Sequence, residues 1–369
     1  MTSALFTPIT LRGLTLKNRI AVSPMCQYIS DEGNANDWHL MHYGSMALGA
    51  GGLVTVEATN VNMTGRITHK CATLCTDANE ASWKRVVDFA KKFGTAAIGI
   101  ELAHAGRKSS TLPPAQGGKP LKPEEGAWET VAPSALPFGD WHTPRALTKA
   151  DLPKLVDDFV ASVQRAERAG FELIEFHAGH GYLIHQFLSA LSNNRTDEYG
   201  GSLENRMRFP LEVFAAMREA WPKDKPMGAR LSVTDWVEGG LDMAQSLRFA
   251  HELKKLGCDF VDVSSGALDP RQQVPFGPGY HVAFAEQMKR EVGMTTMVVG
   301  LITDARQAEE IVAGGKADIV VLGRGVMFDP RWSWHAAEEL GVELKYAPKM
   351  FPAHPSLRPW VFPNPKKTA

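Results

Sequence analysis

Eight short apolar runs, most of them followed by a segment of helical periodicity, constrain this chain more than any other feature. They cover residues 20–23, 53–58, 97–103, 173–176, 227–233, 260–264, 295–299 and 319–322. Most are rich in Val and Ile and run into Gly, Ser or His. Helical patterns occupy 83–93, 152–169, 209–220, 244–256, 283–292 and 305–313 between them. Strands apolar on both faces must be covered on both, and strand–helix repetition makes neighbouring strands parallel. Eight such units close into an α/β (β/α)8 TIM barrel more readily than they lie flat, and 369 residues is an ordinary length for one. An open doubly wound sheet is the structural alternative. No GxGxxG turn follows the first strand, however, so a Rossmann dinucleotide site has no support.

Two segments break the repeat. Residues 105–147, after the third strand, are rich in Pro, Gly and Lys and carry Trp128, Phe138 and Trp141. A loop of that length reads as a lid or binding cap. Residues 346–369 contain six prolines with Phe351, Trp360 and Phe362, a tail that cannot be helical and must dock or stay loose. The expected organisation is a single barrel over 1–345 with a capping insertion at 105–147, then a C-terminal tail.

Composition removes several classes of function. A net charge of -1 gives no argument for a nucleic-acid or lipid partner. No apolar run approaches the roughly 20 residues of a membrane helix. Residues 1–6 lack the basic start and apolar core of a signal peptide. Four cysteines do not suggest a disulfide framework, and Cys71 and Cys75 have no second pair to complete a zinc site. The expected location is the cytoplasm.

The active site of such a barrel is built from the carboxyl ends of its strands. In order, these ends offer Ser23-Pro24-Met25-Cys26, Ala58-Thr59, Glu101 leading to His104, then His177, His180 and Tyr182, then Arg230, Ser264-Ser265, Gly300-Leu301 and Gly323-Arg324. Two imidazoles and a phenol within six residues can donate hydrogen bonds, polarise a carbonyl or pass a proton. One solvated and one packed histidine with a core tyrosine would be the ordinary reading of a lone HxxH. Glycines after strands seven and eight let backbone N–H groups approach an anion, and Arg324 adds a forked cation, so a phosphate-bearing cofactor fits there. A salt bridge is the alternative for Arg324. Arg230 interrupts the apolar run Met227-Gly-Ala-Arg-Leu-Ser-Val233, where a guanidinium is costly without a facing anion, an electron-rich ring or a structural ion pair.

These residues resemble the Old Yellow Enzyme family of flavin-dependent ene reductases, in the bacterial branch of YqjM-like enzymes and xenobiotic reductases. The resemblance runs from Leu5-Phe-Thr-Pro8 to Phe328-Asp-Pro330. It includes Lys17-Asn-Arg-Ile20, Ser23-Pro-Met-Cys-Gln-Tyr28, Val56-Glu-Ala-Thr59, His104-Ala-Gly-Arg-Lys108, the HxxHxY stretch, and Asn194-Arg-Thr-Asp-Glu-Tyr-Gly-Gly-Ser202 continuing to Asn205-Arg206.

The resemblance implies bound FMN, with NADPH, or NADH, as hydride donor. Ser23, Pro24, Met25, Cys26 and Ala58 would line the ring system. Arg230 would face its N1/O2 edge, and Gly300, Leu301, Gly323 and Arg324 would hold the phosphate. His177 and His180 would bind the oxygen of an activated alkene: an α,β-unsaturated ketone or aldehyde, a maleimide or a nitro compound. Tyr182 would protonate the α-carbon, and Tyr28 and Cys26 would contact substrate, Cys26 as a modulator and not a nucleophile. Relatives are often dimers or tetramers, so the resemblance implies a homodimer or homotetramer. Some pass a C-terminal Arg or Trp into a neighbour's site, which makes Arg358 and Trp360 candidates here. One departure stands out: the family carries Gln where this chain has Glu101, which would face the flavin pyrimidine as an acceptor without the donor.

Two other readings are open at the level of sequence. A metal-dependent hydrolase could use His104, His177 and His180, although the first strand ends in Ser-Pro-Met-Cys instead of further ligands. A flavin-binding protein without turnover would not need a proton donor beside the histidines.

Overall fold

The eight apolar runs become eight parallel strands that close on themselves in sequence order. In the computed structural model, which describes residues 3–49 and 51–357, they are β1 (Ile20–Val22), β2 (Leu53–Asn60), β3 (Ala97–Ala103), β4 (Leu173–Ala178), β5 (Met227–Ser232), β6 (Phe260–Ser264), β7 (Thr295–Val298) and β8 (Ile319–Leu322). Strand β8 pairs β1 through Val320↔Ile20 and completes the barrel, as the alternation predicts. The open-sheet alternative falls at that pairing.

Helices α1 (Asp37–Gly49), α2 (Asp77–Phe93), α3 (Leu152–Ala169), α4 (Leu203–Ala220), α5 (Met243–Lys255), α6 (Val282–Val292), α7 (Ala305–Ala313) and α8 (Trp332–Leu340) follow the strands. Their starts are chemically marked. Thr76 and Asn79 form a reciprocal capping box on α2, and Ser202, Asp242 and Asp304 accept backbone N–H bonds at the starts of α4, α5 and α7. The outward strand residues pack on this layer: Phe176 sits between Phe159 of α3 and Phe214 of α4.

The amino-terminal hairpin Ile9–Leu11/Leu14–Leu16 brings Leu11 and Leu16 into one apolar cluster with Ala21, Leu53, Leu173, Phe260, Met297, Ile319 and Val321. Leu53, Leu173, Phe260 and Ile319 are the first residues of their strands, so the cluster plugs the floor of the barrel. Gly228 belongs to that packing, because a Cβ there would lie 2.5 Å from the Phe260 ring. The polar end of the barrel is therefore the opposite one, at the strands' carboxyl ends.

Residues 105–147 form 3-10 turns and a two-residue parallel pair, Val131–Ala132 with Arg145–Ala146. The segment is tied down by Trp128 Nε1–H donating to Thr64 O at 2.9 Å and by Arg107 donating to the carbonyls of Leu136, Pro137 and Leu268. Arg358 and Trp360 lie outside the described residues.

Candidate active site

Strand register decides which polar residues meet. Glu101 pairs with Glu175, His177 with Arg230, and Arg230 with Asp262. Because Phe176 points outward to the helices, Glu175 and His177 point inward, and paired residues share that face. Five ionisable side chains thus form one band inside the barrel, each residue at most 7% exposed.

Within the band, Glu101 Oε1 lies 2.6 Å from His177 Nδ1 and 3.9 Å from Arg230 Nη1, and Arg230 Nε lies 3.2 Å from Asp262 Oδ2. The attraction is Coulombic more than directional. Among the described residues, Glu101 Oε1, Arg230 Nε and both His177 ring nitrogens are buried without an aligned hydrogen bond, as are Glu175 Oε1 and both Asp262 carboxyl oxygens. Burial, then the neighbouring Asp262 and Glu101, pushes Glu175 well above the usual carboxyl range, so it is a neutral acid. Burial also raises Asp262, while Arg230 draws it back. Burial works against the charge of Arg230, but Asp262 and then Glu101 outweigh it and keep the guanidinium a cation.

Past His177 the chain turns sharply to aim the rest of the motif. His180 takes a left-handed φ of 53° and Gly181 one of 70°. Only glycine fits at 181, where a Cβ would fall 2.3 Å from Ala267 O. The turn is held by His180 N–H donating to Ser232 Oγ at 2.8 Å, and His180 Nε2 lies 2.8 Å from Ser264 Oγ. The two imidazole centroids then sit 5.2 Å apart and stacked, with the Tyr182 ring 5.1 Å from His177. Burial, then Arg230 and His177, pushes His180 well below the usual imidazole range, so its ring is neutral. Burial and the nearby Cys26, Cys71 and Glu101 raise the Tyr182 phenol, which keeps its proton at neutral pH.

Opposite stands the loop after β1. Ser23 N–H donates to Leu322 O at 2.9 Å, joining the ends of β1 and β8. Further on, Gln27 N–H donates to Glu57 Oε2 at 3.0 Å, and the Tyr43 hydroxyl donates to Glu57 Oε1 at 3.2 Å. Cys26 and Tyr28 pack with Tyr182 against Ile67, Cys71 and Ala105. Burial raises the Cys26 thiol, which does not favour a nucleophilic thiolate. Pro24 and Met25 are half-buried beside it, and Ala58 on β2 is buried.

At the last two strand ends, Gly300 and Leu301 have φ of 137° and 55°. A Cβ on Gly323 would meet Met25 Sδ at 3.6 Å, and one on Gly325 would meet Thr303 Cγ2 at the same 3.6 Å, so the β1, β7 and β8 loops adjoin. Arg324 is exposed and has no ion-pair partner among the described residues, which leaves the salt-bridge alternative without support. A guanidinium, a carboxylate and an imidazole with open bonding capacity suit the carbonyl and N–H edge of a planar heteroaromatic ring. Glycine loops beside a free arginine suit its phosphate.

The family model described as NADH:flavin oxidoreductase / NADH oxidase matches residues 4–343. The chain belongs to this family. It is 46% identical to an NADPH dehydrogenase of Geobacillus thermodenitrificans over 94% of this chain and 97% of that one. It is 42% identical to an NADPH dehydrogenase of Bacillus subtilis over 93% and 97%. A solved structure of morphinone reductase aligns with a TM-score of 0.78 and 31% identity, covering 95% of this chain and 93% of that one. Membership in this flavin oxidoreductase family bears out the Old Yellow Enzyme resemblance, makes the chain an oxidoreductase, and assigns it FMN and NAD(P)H.

The metal-hydrolase reading falls with membership in an oxidoreductase family. His104 Nδ1 accepts from Gly106 N–H at 3.0 Å, and no group of three or more His, Cys, Asp or Glu that could hold a metal occurs among the described residues. Among those residues, too, no helix is long and apolar enough to cross a membrane. Sequence reasoning passed over three site residues. Glu175 and Asp262 carry the same signal as Arg230, a charge inside an apolar strand, and could have been found by it. Lys108 closes His104-Ala-Gly-Arg-Lys108, and nothing in its local pattern says that its ammonium is drawn in against the carbonyls of His180 and Ala267.

Proposed function

We propose that this oxidoreductase is an NADPH-consuming ene reductase acting on alkenes conjugated to a carbonyl or nitro group. The observation that carries the reading is the stacked His177–His180 pair with the Tyr182 ring 5.1 Å from His177. Bound FMN supplies the hydride, taken from NAD(P)H, that goes to the alkene β-carbon. Ser23 to Cys26, Ala58, Glu101 and Arg230 would line its ring; Gly300, Leu301, Gly323 and Arg324 would hold its phosphate.

The chain's own residues do the rest. His177 and His180 grip the activating oxygen and stabilise the negative charge that grows on it. Tyr182, kept protonated by burial, donates to the α-carbon. Tyr28 and the Cys26 thiol border the substrate from the other side. The 105–147 segment caps the pocket, since its Phe138 ring lies 4.8 Å from Lys108 Nζ, which is itself 5.1 Å from the Tyr182 ring centroid.

The test is anaerobic. NADPH should bleach the yellow protein, and cyclohexenone should restore the colour. Bleached protein that no enone, maleimide or nitroalkene re-oxidises would overturn the reading.

A further inference from the structure

Lys108 is a cation held without a counter-charge. Its ammonium donates to His180 O and Ala267 O, each at 2.9 Å, and no carboxylate lies within ion-pair distance of it among the described residues. Arg107 beside it donates to the carbonyls of Leu136, Pro137 and Leu268, and it too has no carboxylate partner among those residues. Carbonyl oxygens fix a cation in place but do not neutralise it. The Lys108 ammonium is placed over the Tyr182 ring, 5.1 Å from its centroid, with the Phe138 ring of the cap 4.8 Å away. Burial, then the like charge of Arg107, pushes it down to about 7, so the fold keeps this cation at some loss of stability.

The surroundings of Tyr182 resist what a proton donor must become. Burial, Cys26, Cys71 and Glu101 all favour the protonated phenol, and Arg230 opposes them by less than each of these. When Tyr182 protonates the α-carbon, its O–H bond breaks, a C–H bond forms, and the electron pair stays on the phenol oxygen. A negative charge then sits where its neighbours disfavour it. Lys108 faces that ring with a positive charge that no carboxylate among the described residues has taken up.

We propose that Lys108 is a positioning residue for the proton donor: held over the Tyr182 ring by two carbonyls, its charge stabilises the phenolate that Tyr182 becomes as it protonates the α-carbon. A proton from solvent then restores the phenol. An ammonium attracts a neutral ring weakly and a phenolate much more strongly, so the arrangement favours the charge that develops in the reaction. The inference rests on the ene-reductase reading, in which Tyr182 is the donor. It also sorts substrates. An enone must be protonated at carbon to complete its reduction, whereas a nitroalkene reduced at its β-carbon leaves a nitronate that is stable in water. Lys108 therefore matters more for enones than for nitroalkenes, while His180, which holds the activating oxygen of either, matters for both.

The experiment mixes reduced, FMN-loaded protein rapidly with saturating cyclohexenone or 1-nitrocyclohexene. At pH 6, Lys108→Met should slow re-oxidation by the enone more than by the nitroalkene, by about tenfold or more, and Lys108→Arg, which keeps the charge, should recover most of that difference. In the wild type the enone rate should fall as pH rises through the point at which Lys108 loses its proton. Carbon NMR of the same reduced protein labelled with 13C-lysine locates that point independently, with the Lys108 signal assigned by its absence in Lys108→Met. The charged or titratable groups facing Lys108 are Arg107 from its own loop and His180 and Tyr182 from the loop after β4; Phe138 and Ala267 add no charge. His180 is neutral and Tyr182 protonated through this range, so neither imitates the lysine. Equal losses for the two alkenes, or an enone rate that does not follow the Lys108 signal, overturns the proposal. If Lys108→Met fails to fold, Lys108→Arg assigns the signal and the wild-type comparison decides alone. Protein that neither alkene re-oxidises would sink the ene-reductase reading and this inference with it, whereas equal losses would sink this inference alone.

Discussion

Lys108 Nζ lies 2.9 Å from the carbonyl oxygen of His180 and donates to it. The same ammonium donates to Ala267 O, also at 2.9 Å, so it joins the loops after β4 and β6 at two residues with left-handed φ, 53° and 68°. A methionine would fill the space and offer neither bond. Lys108→Met should destabilise the protein by ~2 kcal/mol, through the loss of hydrogen bonds from a charged donor to two half-buried residues, and raise the KM for enones by loosening His180. Urea unfolding and steady-state kinetics check the two effects separately.

Burial pushes the same ammonium down to about 7 from its ordinary 10.5, with Arg107 adding to the shift. Between those values the unfolded chain holds a proton that the folded chain has released, so this group's contribution to stability rises with pH across that window. The wild type should therefore gain on Lys108→Met as pH rises from 7 to 9, by up to ~1.4 kcal/mol per unit. Comparing the two proteins cancels the cysteines and tyrosines that ionise in the same range. A flat difference would mean that the lysine keeps its ordinary value in the folded state, as a solvated ammonium does.

Tyr182→Phe keeps the ring beside His177 and removes the only proton it can give. Bleaching by NADPH should be unchanged, whereas re-oxidation by cyclohexenone should slow by about 10²-fold or more, the usual contribution of a positioned acid. Rapid mixing of the two half-reactions separates them. Equal slowing of both would argue for a general loss of pocket shape.

The barrel was legible because its strands are buried on both faces and announce themselves by continuous apolar runs, and six of its helices have one apolar side. Helix α1 hid its periodicity: it contains His39, His42, Gly44 and Gly49, and polar residues such as His39 sit on its buried side. The motif residues of the site could be read for the same reason as Arg230, since polar groups at strand ends have no structural work to do there. What sequence could not give is which of them touch. Glu101 and His177 are 76 positions apart by their numbers, and their 2.6 Å contact exists only because β3 pairs β4 in one register. Lys108 reads as a surface lysine until the 105–147 segment folds Phe138 over it.

Arg230→Ala should be the most damaging single change in the band. It removes the cation 3.2 Å from Asp262 and 3.9 Å from Glu101 and leaves their charges buried without it. Breaking such a pair from one side costs ~3–5 kcal/mol, more than most truncations of one side chain. FMN content after dialysis should fall as well, since the guanidinium has no aligned hydrogen bond of its own at Nε and is free to face a ring. Adding Asp262→Asn should recover part of the stability without restoring FMN, because it removes an unpaired charge but supplies no cation. Recovery of both together would mean that Arg230 serves the fold alone.

Acid should act on His104 in the sense opposite to alkali on Lys108. Burial pushes this imidazole down to about 4 from 6.5, only weakly opposed by Asp158, and its Nδ1 is committed as acceptor to Gly106 N–H at 3.0 Å. As pH falls from 6.5, the unfolded chain takes up the proton first, so stability that is complete above that point drains away down to pH 4. The loss from His104 should reach ~1.4 kcal/mol per pH unit inside the window. His42 and His281 are pushed to about 4 by burial too, so the wild type should lose more than one group's worth on going from pH 7 to 5. His104→Asn keeps an acceptor near Gly106 and cannot titrate, so it should shrink that loss by one proton's share and leave the rest. Denaturant unfolding of both proteins at pH 7 and 5 measures the difference, and identical losses would mean that His104 is hydrated or already charged in the folded state.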